Sequence, residues 1–167
     1  MVERDKVLVA VDDSSATWKA IDYIVALVRN KPDLDIHLVH AAAYPPELQE
    51  FRGAENVREE ETLETQLNQK QERWEREIRS AAAPLFKKAR AALEWAGATP
   101  EQIHSQTLPL KHSEDLVDEI LQSARESGCH TIVVGRNSFP WLKEIFADHL
   151  GQEISRKAQD ISVRVIE

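Results

Sequence analysis

Two short stretches of the sequence carry residue types that could bind a phosphorylated ligand. The apolar run "VLVAV" is followed by the carboxylates Asp12 and Asp13, and the apolar run "TIVVG" ends at Gly135. A strand that ends in glycine is a common approach to a phosphate, because glycine lets several backbone N–H groups converge on the anion. We therefore expect any ligand chemistry of this chain to lie where these two strands end.

The segments around these stretches predict an α/β fold. "KVLVAV" (6–11) and "HTIVVG" (130–135) are apolar throughout, which is typical of strands covered on both faces. "LDIHLVHA" is mixed, while "QIHSQTLPL" and "DISVRVIE" alternate and belong at the edges of a sheet. Helical spacing of apolar residues separates the strands. The pattern predicts a doubly wound, five-stranded, mainly parallel sheet of order 3-2-1-4-5, with helices on both faces.

This strand order also predicts the position of a ligand. Winding reverses between strands 1 and 4, and ligands of open α/β sheets bind outside the carboxyl ends of the strands at that point. Asp12 and Asp13 follow the first of these strands, and Gly135 and Arg136 end the second. We expect the two strands to be direct neighbours.

The chain is expected to form a single domain, 1–167, with a long helical insertion at about 57–96. Pro84 lies inside this helical pattern and predicts a kink or break near residues 82–83. Trp18, Trp74 and Trp95 fall on helical apolar stripes and are expected in the core.

Composition excludes several classes of function. The chain has 167 residues, enough for one buried core, and 21 basic against 29 acidic side chains. A formal charge of −8 disfavours binding to nucleic acid or to a membrane surface. The single cysteine, Cys129, leaves neither a disulfide nor a cysteine-based zinc site, and His37 and His40 are spaced to point to opposite faces of a strand. We expect no metal site, and a cytoplasmic location, since neither a signal peptide nor a membrane-spanning segment is visible.

Four stretches, in order, resemble the universal stress protein family: "VLVAVDDSSAT", "IHLVHA", "GCHTIVVGRNS" and "ISVRVIE". The resemblance implies a small doubly wound fold, usually homodimeric, with a role in stress tolerance and signalling rather than in a known reaction. One branch of the family binds ATP. In that branch an aspartate follows strand 1, and strand 4 is followed by Gly, two residues, Gly, nine residues, Gly and then Ser or Thr.

The resemblance implies nucleotide-binding candidates in this chain: Ala10, Asp12, Ala41, Gly135, Arg136, Ser138, Gly151 and Gln152. Asp12 matches the family's aspartate, Ala41 falls where the backbone commonly contacts adenine, and Gly135 matches the first glycine. Ser138 replaces the second glycine. The third glycine position falls at Asp148 and the hydroxyl position at His149, while Gly151 comes three residues late and is followed by Gln152.

These departures weaken a triphosphate site. Ser138 has a Cβ that resists the torsions open to glycine, and Asp148 would repel phosphate. A structural interpretation is that Asn137 or Ser138 caps one helix that starts at about Pro140. Our main hypothesis is a regulatory or binding module of the stress response without firm ATP binding and with at most weak ATP hydrolysis. The alternative is an ATP-binding variant with slow hydrolysis, which would use ATP with magnesium.

"VLVAVDDSSAT" also resembles the start of a response-regulator receiver, in which the acidic pair binds magnesium. That interpretation requires an aspartate at the end of strand 3 and a lysine at the end of strand 5. Here those strands end "SQTLPL" and "VRVIE", so the chain meets neither requirement. For the stress-protein interpretation we expect a homodimer, formed through the last strand, Ile161–Ile166, or through the long helix.

Overall fold

A computed structural model describes residues 4–50, 53–136, 156–157 and 160–167. Five strands form one sheet in the order β3-β2-β1-β4-β5, and each neighbouring pair is parallel. The predicted strand order is therefore confirmed. The strands are β1 (Lys6–Ala10), β2 (Asp35–Ala43), β3 (Ile103–Leu110), β4 (Thr131–Gly135) and β5 (Ser162–Ile166).

The two strands with continuous apolar sequence lie side by side at the centre of the sheet. Val9 of β1 is in register with Val133 of β4 on one side and with Leu38 of β2 on the other. All three side chains are fully buried. Strands covered on both faces need apolar residues at every position, which is why these runs do not alternate.

In the described part of the chain, the sheet is covered by α1 (Ser15–Asn30), α2 (Val57–Trp95) and α3 (Leu116–Ser127). The apolar residues of α1 and α2 pack with Val9 on one face, whereas those of α3 pack with Leu8 on the other. Helices on both faces were predicted, and this is confirmed. The predicted helix from about Pro140 lies outside the described residues.

Helix α2 is 39 residues long, which corresponds to about 58 Å at 1.5 Å per residue. Its first turn is capped by Asn56, whose Oδ1 accepts a hydrogen bond from the backbone N–H of Glu59 at 2.8 Å. The helix continues through Pro84, so a break near residues 82–83 is wrong, while a kink there stays a prediction. Pro84 and Ser80 are both exposed, so water can hydrate the Ser80 carbonyl that Pro84 cannot bond.

The three helical tryptophans differ in their surroundings. Trp18 and Trp74 are half-buried, but Trp95 is 80% exposed, so the expectation that it belongs to the core is wrong. Trp95 is the last residue of α2, and its ring lies 5.4 Å from the guanidinium carbon of Arg29 at the end of α1. It packs against a neighbouring helix end rather than against the sheet.

The two edges of the sheet are built differently. At β3, the Nη2 atom of Arg90 donates a hydrogen bond to the carbonyl oxygen of Ile103 at 2.7 Å. Pro109, further along β3, has no N–H to offer another strand. Strand β5 contains no proline. A side chain bonded to the edge backbone and a proline both hinder pairing with a further strand, so β3 is the edge that is protected against such pairing.

Candidate functional site

A pocket of about 480 Å³ opens at the carboxyl ends of β1 and β2. One side is polar and consists of Asp12, Asp13 and the end of β2, His40 to Ala42. The other side is an apolar stretch of α2, made by Ile78, Ala81, Ala82 and Leu85. The sheet topology thus provides the polar side of the pocket, and the long helix provides the apolar one.

Asp12 is held in the turn that starts α1. Its backbone N–H donates to Thr17 Oγ1 at 2.7 Å, and the Thr17 hydroxyl donates to Asp12 Oδ1 at 2.8 Å. The same Oδ1 also accepts the backbone N–H of Ser14 at 2.9 Å. Asp12 is only 4% exposed. These bonds form an Asx-type turn, so Asp12 has a structural role in addition to its place in the pocket.

His40 is half-buried on the same side of the pocket. Its ring meets the ring of Phe86 edge to face, with 6.5 Å between centroids. Burial lowers the pKa of His40, and the nearby carboxylates of Asp12 and Asp13 raise it less than burial lowers it. The imidazole is therefore neutral at pH 7. Its Nδ1 is buried and has no hydrogen-bond partner in the described part of the chain.

A set of contacts fixes α2 where it closes the pocket. The Tyr44 hydroxyl donates to the carboxylate of Glu75, and the Tyr44 ring lies 4.8 Å from the ring of Trp74. One turn earlier, Gln71 Nε2 donates to the carbonyl oxygen of Leu48 at 2.7 Å. Because these residues immediately precede Ile78 in the helix, they set the position of the apolar wall.

Gly135 ends β4 and Arg136 follows it, and neither is among the residues that line this pocket. A Cβ on Gly135 would lie 2.8 Å from the carbonyl carbon of Ala16 and 2.9 Å from its Cβ, closer than packed atoms tolerate. Arg136 is exposed, and its guanidinium is paired with Glu167. The backbone N–H of Arg136 donates to the Ile166 carbonyl at 2.7 Å, which joins the ends of β4 and β5.

Of the other candidates, Ala41 is buried and lines the pocket. Ala10 is buried in the apolar cluster beneath α3, on the opposite face of the sheet from the α2 wall. Ser138, Gly151 and Gln152 lie outside the described residues, as do Asp148 and His149. Two of the candidates, Asp12 and Ala41, are therefore brought together at one pocket.

The sequence analysis missed His40 and the α2 wall. From the sequence, the spacing of His40 from His37 shows only that the two side chains point to opposite faces of a strand. The signal was present in the alternation of β2, since Ile36, Leu38 and His40 share the face that α1 and α2 cover. The spacing of Ile78, Ala82 and Leu85 likewise places them on one helical face. Which residues that face would meet was not predictable from spacing.

Two further observations concern the described residues as a set. No three His, Cys, Asp or Glu side chains come together there in an arrangement suited to a metal ion. None of the helices in that part of the chain combines the length and apolar character that crossing a membrane requires.

Comparisons of the sequence and of the fold with known proteins point to the same family. The statistical description of the universal stress protein family matches residues 3–159. The fold is similar to that of a family protein from Burkholderia pseudomallei, with a TM-score of 0.61, 18% identity, and coverage of 97% of this chain and 95% of that chain.

Two other solved structures were determined with a nucleotide. A universal stress protein in complex with cAMP has a TM-score of 0.58, 14% identity and coverage of 98% and 96%. The universal stress protein from Archaeoglobus fulgidus in complex with dAMP has a TM-score of 0.54, 16% identity and coverage of 100% of both chains. No curated protein matches the sequence.

Proposed function

Since this chain belongs to the universal stress protein family, we propose that it is a regulatory binding module of the stress response. Its pocket takes the nucleoside part of an adenine nucleotide and has no firm affinity for ATP. The observation that carries this proposal is the charge of the pocket. Its described lining includes the carboxylates Asp12 and Asp13 and neither lysine nor arginine.

The electrostatic argument concerns the phosphate chain. Like charges at a few ångströms repel, and they do so more strongly where water is partly excluded. A triphosphate brings more negative charge toward Asp12 and Asp13 than a monophosphate does. At the end of the adjacent strand β4, the guanidinium of Arg136 is paired with Glu167. These features favour ligands with a short phosphate chain.

The pocket offers complementary surfaces for a nucleoside. Its volume of about 480 Å³ is within the range typical of small-molecule sites. The side chains of Ile78, Ala82 and Leu85 present an apolar surface for a flat base. The carboxylates can accept hydrogen bonds from ribose hydroxyls. Relatives solved with cAMP and with dAMP, which each carry one phosphate, support the same ligand class.

The second candidate function is an ATP-binding variant with slow hydrolysis. Its support is the same acidic pair, because carboxylate oxygens are ligands that Mg²⁺ prefers. Asp12 or Asp13 would then hold a magnesium ion that offsets the charge of the phosphates.

Calorimetric titration separates the two. We expect adenosine monophosphate (AMP) to bind at least about tenfold more tightly than ATP with magnesium, a difference of about 1.4 kcal/mol. Asp13→Asn removes one exposed carboxylate and should narrow this difference. Asp22→Asn, an exposed position on α1, is the matched control and should leave it unchanged. Micromolar binding of ATP with magnesium, tighter than that of AMP, would instead establish the second candidate.

A further inference from the structure

His40 combines two properties that are seldom found together in a side chain without a function. Its Nδ1 atom is buried, and it has no hydrogen-bond partner in the described structure. The other polar side chains that are buried there, such as Thr17, Gln102 and Ser123, do have partners. Most buried polar atoms in proteins are paired, so an exception calls for a physical reason.

The position of the ring supplies that reason. His40 lines the pocket together with Asp12 and Asp13, and Phe86 packs against the ring edge to face. Leaving a buried nitrogen unpaired costs the free energy of its lost hydration. Nδ1 is closed to solvent in this conformation, so a ligand in the pocket reaches it only when the ring turns about its Cβ–Cγ bond. A polar atom that the ligand then offers to Nδ1 recovers that cost on binding.

We propose that His40 determines the specificity of the pocket, through a hydrogen bond from its Nδ1 to a polar atom of the bound nucleoside. This inference rests on the proposed function and adds to it the residue that recognises the ligand. A ligand of the same shape that faces Nδ1 with an apolar group would leave Nδ1 unpaired. Such an analogue should bind more weakly than the polar ligand, because it forgoes the free energy that a hydrogen bond to Nδ1 recovers.

The chemistry of imidazole limits what the ligand presents. Burial lowers the pKa of His40, so the ring is neutral at pH 7, with one nitrogen that donates and one that accepts. The carboxylates on the same side of the pocket accept only. The ligand class is therefore one with hydroxyl or amino donors for the carboxylates and one further polar atom facing His40, as a nucleoside has.

Three substitutions test the role of Nδ1, with AMP as the probe. The amide of asparagine reaches the place of Nδ1, the longer glutamine reaches that of Nε2, and leucine offers neither. We expect the Kd for AMP to rise about tenfold or more in His40→Leu and His40→Gln, and to stay within about threefold in His40→Asn. If only His40→Asn retains the affinity for AMP, a packing role for the ring cannot explain the result.

Thermal unfolding of the unliganded variants gives a second, independent readout. A histidine that serves only the fold should lower Tm when it is replaced. An unpaired Nδ1 predicts the reverse, namely that His40→Leu leaves Tm unchanged or raises it, because the replacement removes a buried atom that lacks a partner. A fall of more than about 5 °C would count against the inference.

The outcomes for the two proposals are separable. If the wild-type protein binds AMP and the three variants bind it equally well, His40 does not read the ligand, although the proposed function stands. If the wild-type protein binds no AMP, the proposed function is wrong, and the inference falls with it, because it names the residue that recognises that ligand.

Discussion

Gly135, at the end of β4, lies directly against the carbonyl group of Ala16 in the first turn of α1. Strand and helix therefore meet backbone to backbone. The neighbouring turn of Asp12, Ser14 and Thr17 is fixed by its own hydrogen bonds. A glycine at this strand end is thus required by packing, whether or not a phosphate ever approaches it.

Gly135→Ala should destabilise the protein by about 1–3 kcal/mol, the usual cost of forcing extra volume into a packed site. The new methyl group meets backbone atoms, which cannot rotate away. Urea unfolding measures the change. Ser162→Ala, at an exposed position on β5, should stay within about 0.5 kcal/mol of wild type. Equal stability of the two variants would show that α1 shifts freely away from β4.

Tyr44 should make the protein sensitive to alkali. Burial, and after it the hydrogen bond to Glu75, raises the pKa of Tyr44 from 10.0 to about 12. Above pH 10 the unfolded chain loses this proton before the folded chain does. The stability that Tyr44 contributes is therefore complete below pH 10 and is lost as the pH rises toward 12.

Tyr44→Phe should make the loss of stability between about pH 9 and about pH 11 smaller, as measured by urea midpoints. Tyr23→Phe, on α1 and away from Glu75, serves as the control and should keep the wild-type loss. An unchanged pH profile in Tyr44→Phe would mean that the contact with Glu75 does not hold α2 in solution.

His37 should make the protein sensitive to acid. The rings of His37 and His104 are stacked with centroids 4.6 Å apart. Burial lowers the pKa of His37, and His104 and then Lys6 lower it further, while Asp35 acts in the opposite direction. The unfolded chain takes up a proton near pH 6.5 that the folded chain resists, so stability falls as the pH drops below 6.5.

His104→Gln removes the neighbouring imidazole that helps to lower the pKa of His37. The substitution should therefore reduce the fall in stability between pH 7 and pH 5. The measurement is the midpoint of urea unfolding across that range. His112→Gln, in an exposed turn, should behave as wild type does. A steeper fall in His104→Gln than in wild type would contradict the stated direction.

We expect a homodimer, formed through β5 or through α2, and sedimentation can distinguish the routes. Val165 is 45% exposed on β5, and Val165→Lys should give monomers if β5 forms the interface. Leu67→Lys should do so if α2 forms it. Ser162→Lys and Thr65→Lys place the same charge on exposed, opposite faces of these elements and are the matched controls. A wild-type monomer at tens of micromolar protein would contradict both routes.

The sequence predicts the sheet better than it predicts the pocket. Continuous and alternating apolar patterns depend only on how many faces of a strand are covered, so the central and edge strands could be ordered. The position of Asp12 at the ligand-binding end of the sheet follows from that order, whereas Ala41 is implied by the resemblance to the universal stress protein family. The orientation of α2 did not, because a 39-residue helix can cross a sheet at many angles. His40 and Trp95 could not be interpreted correctly without knowing what α2 meets.

The two edges of the sheet differ in how readily they could pair with a strand from another copy of the chain. This difference limits the size of an assembly formed by strand pairing. Arg90 and Pro109 protect the β3 edge, so among the described strands β5 is the edge at which a further strand could pair. If two copies paired through β5, the accessible edge of each sheet would be occupied by the other copy. Such an assembly closes at a pair and does not propagate into a fibre.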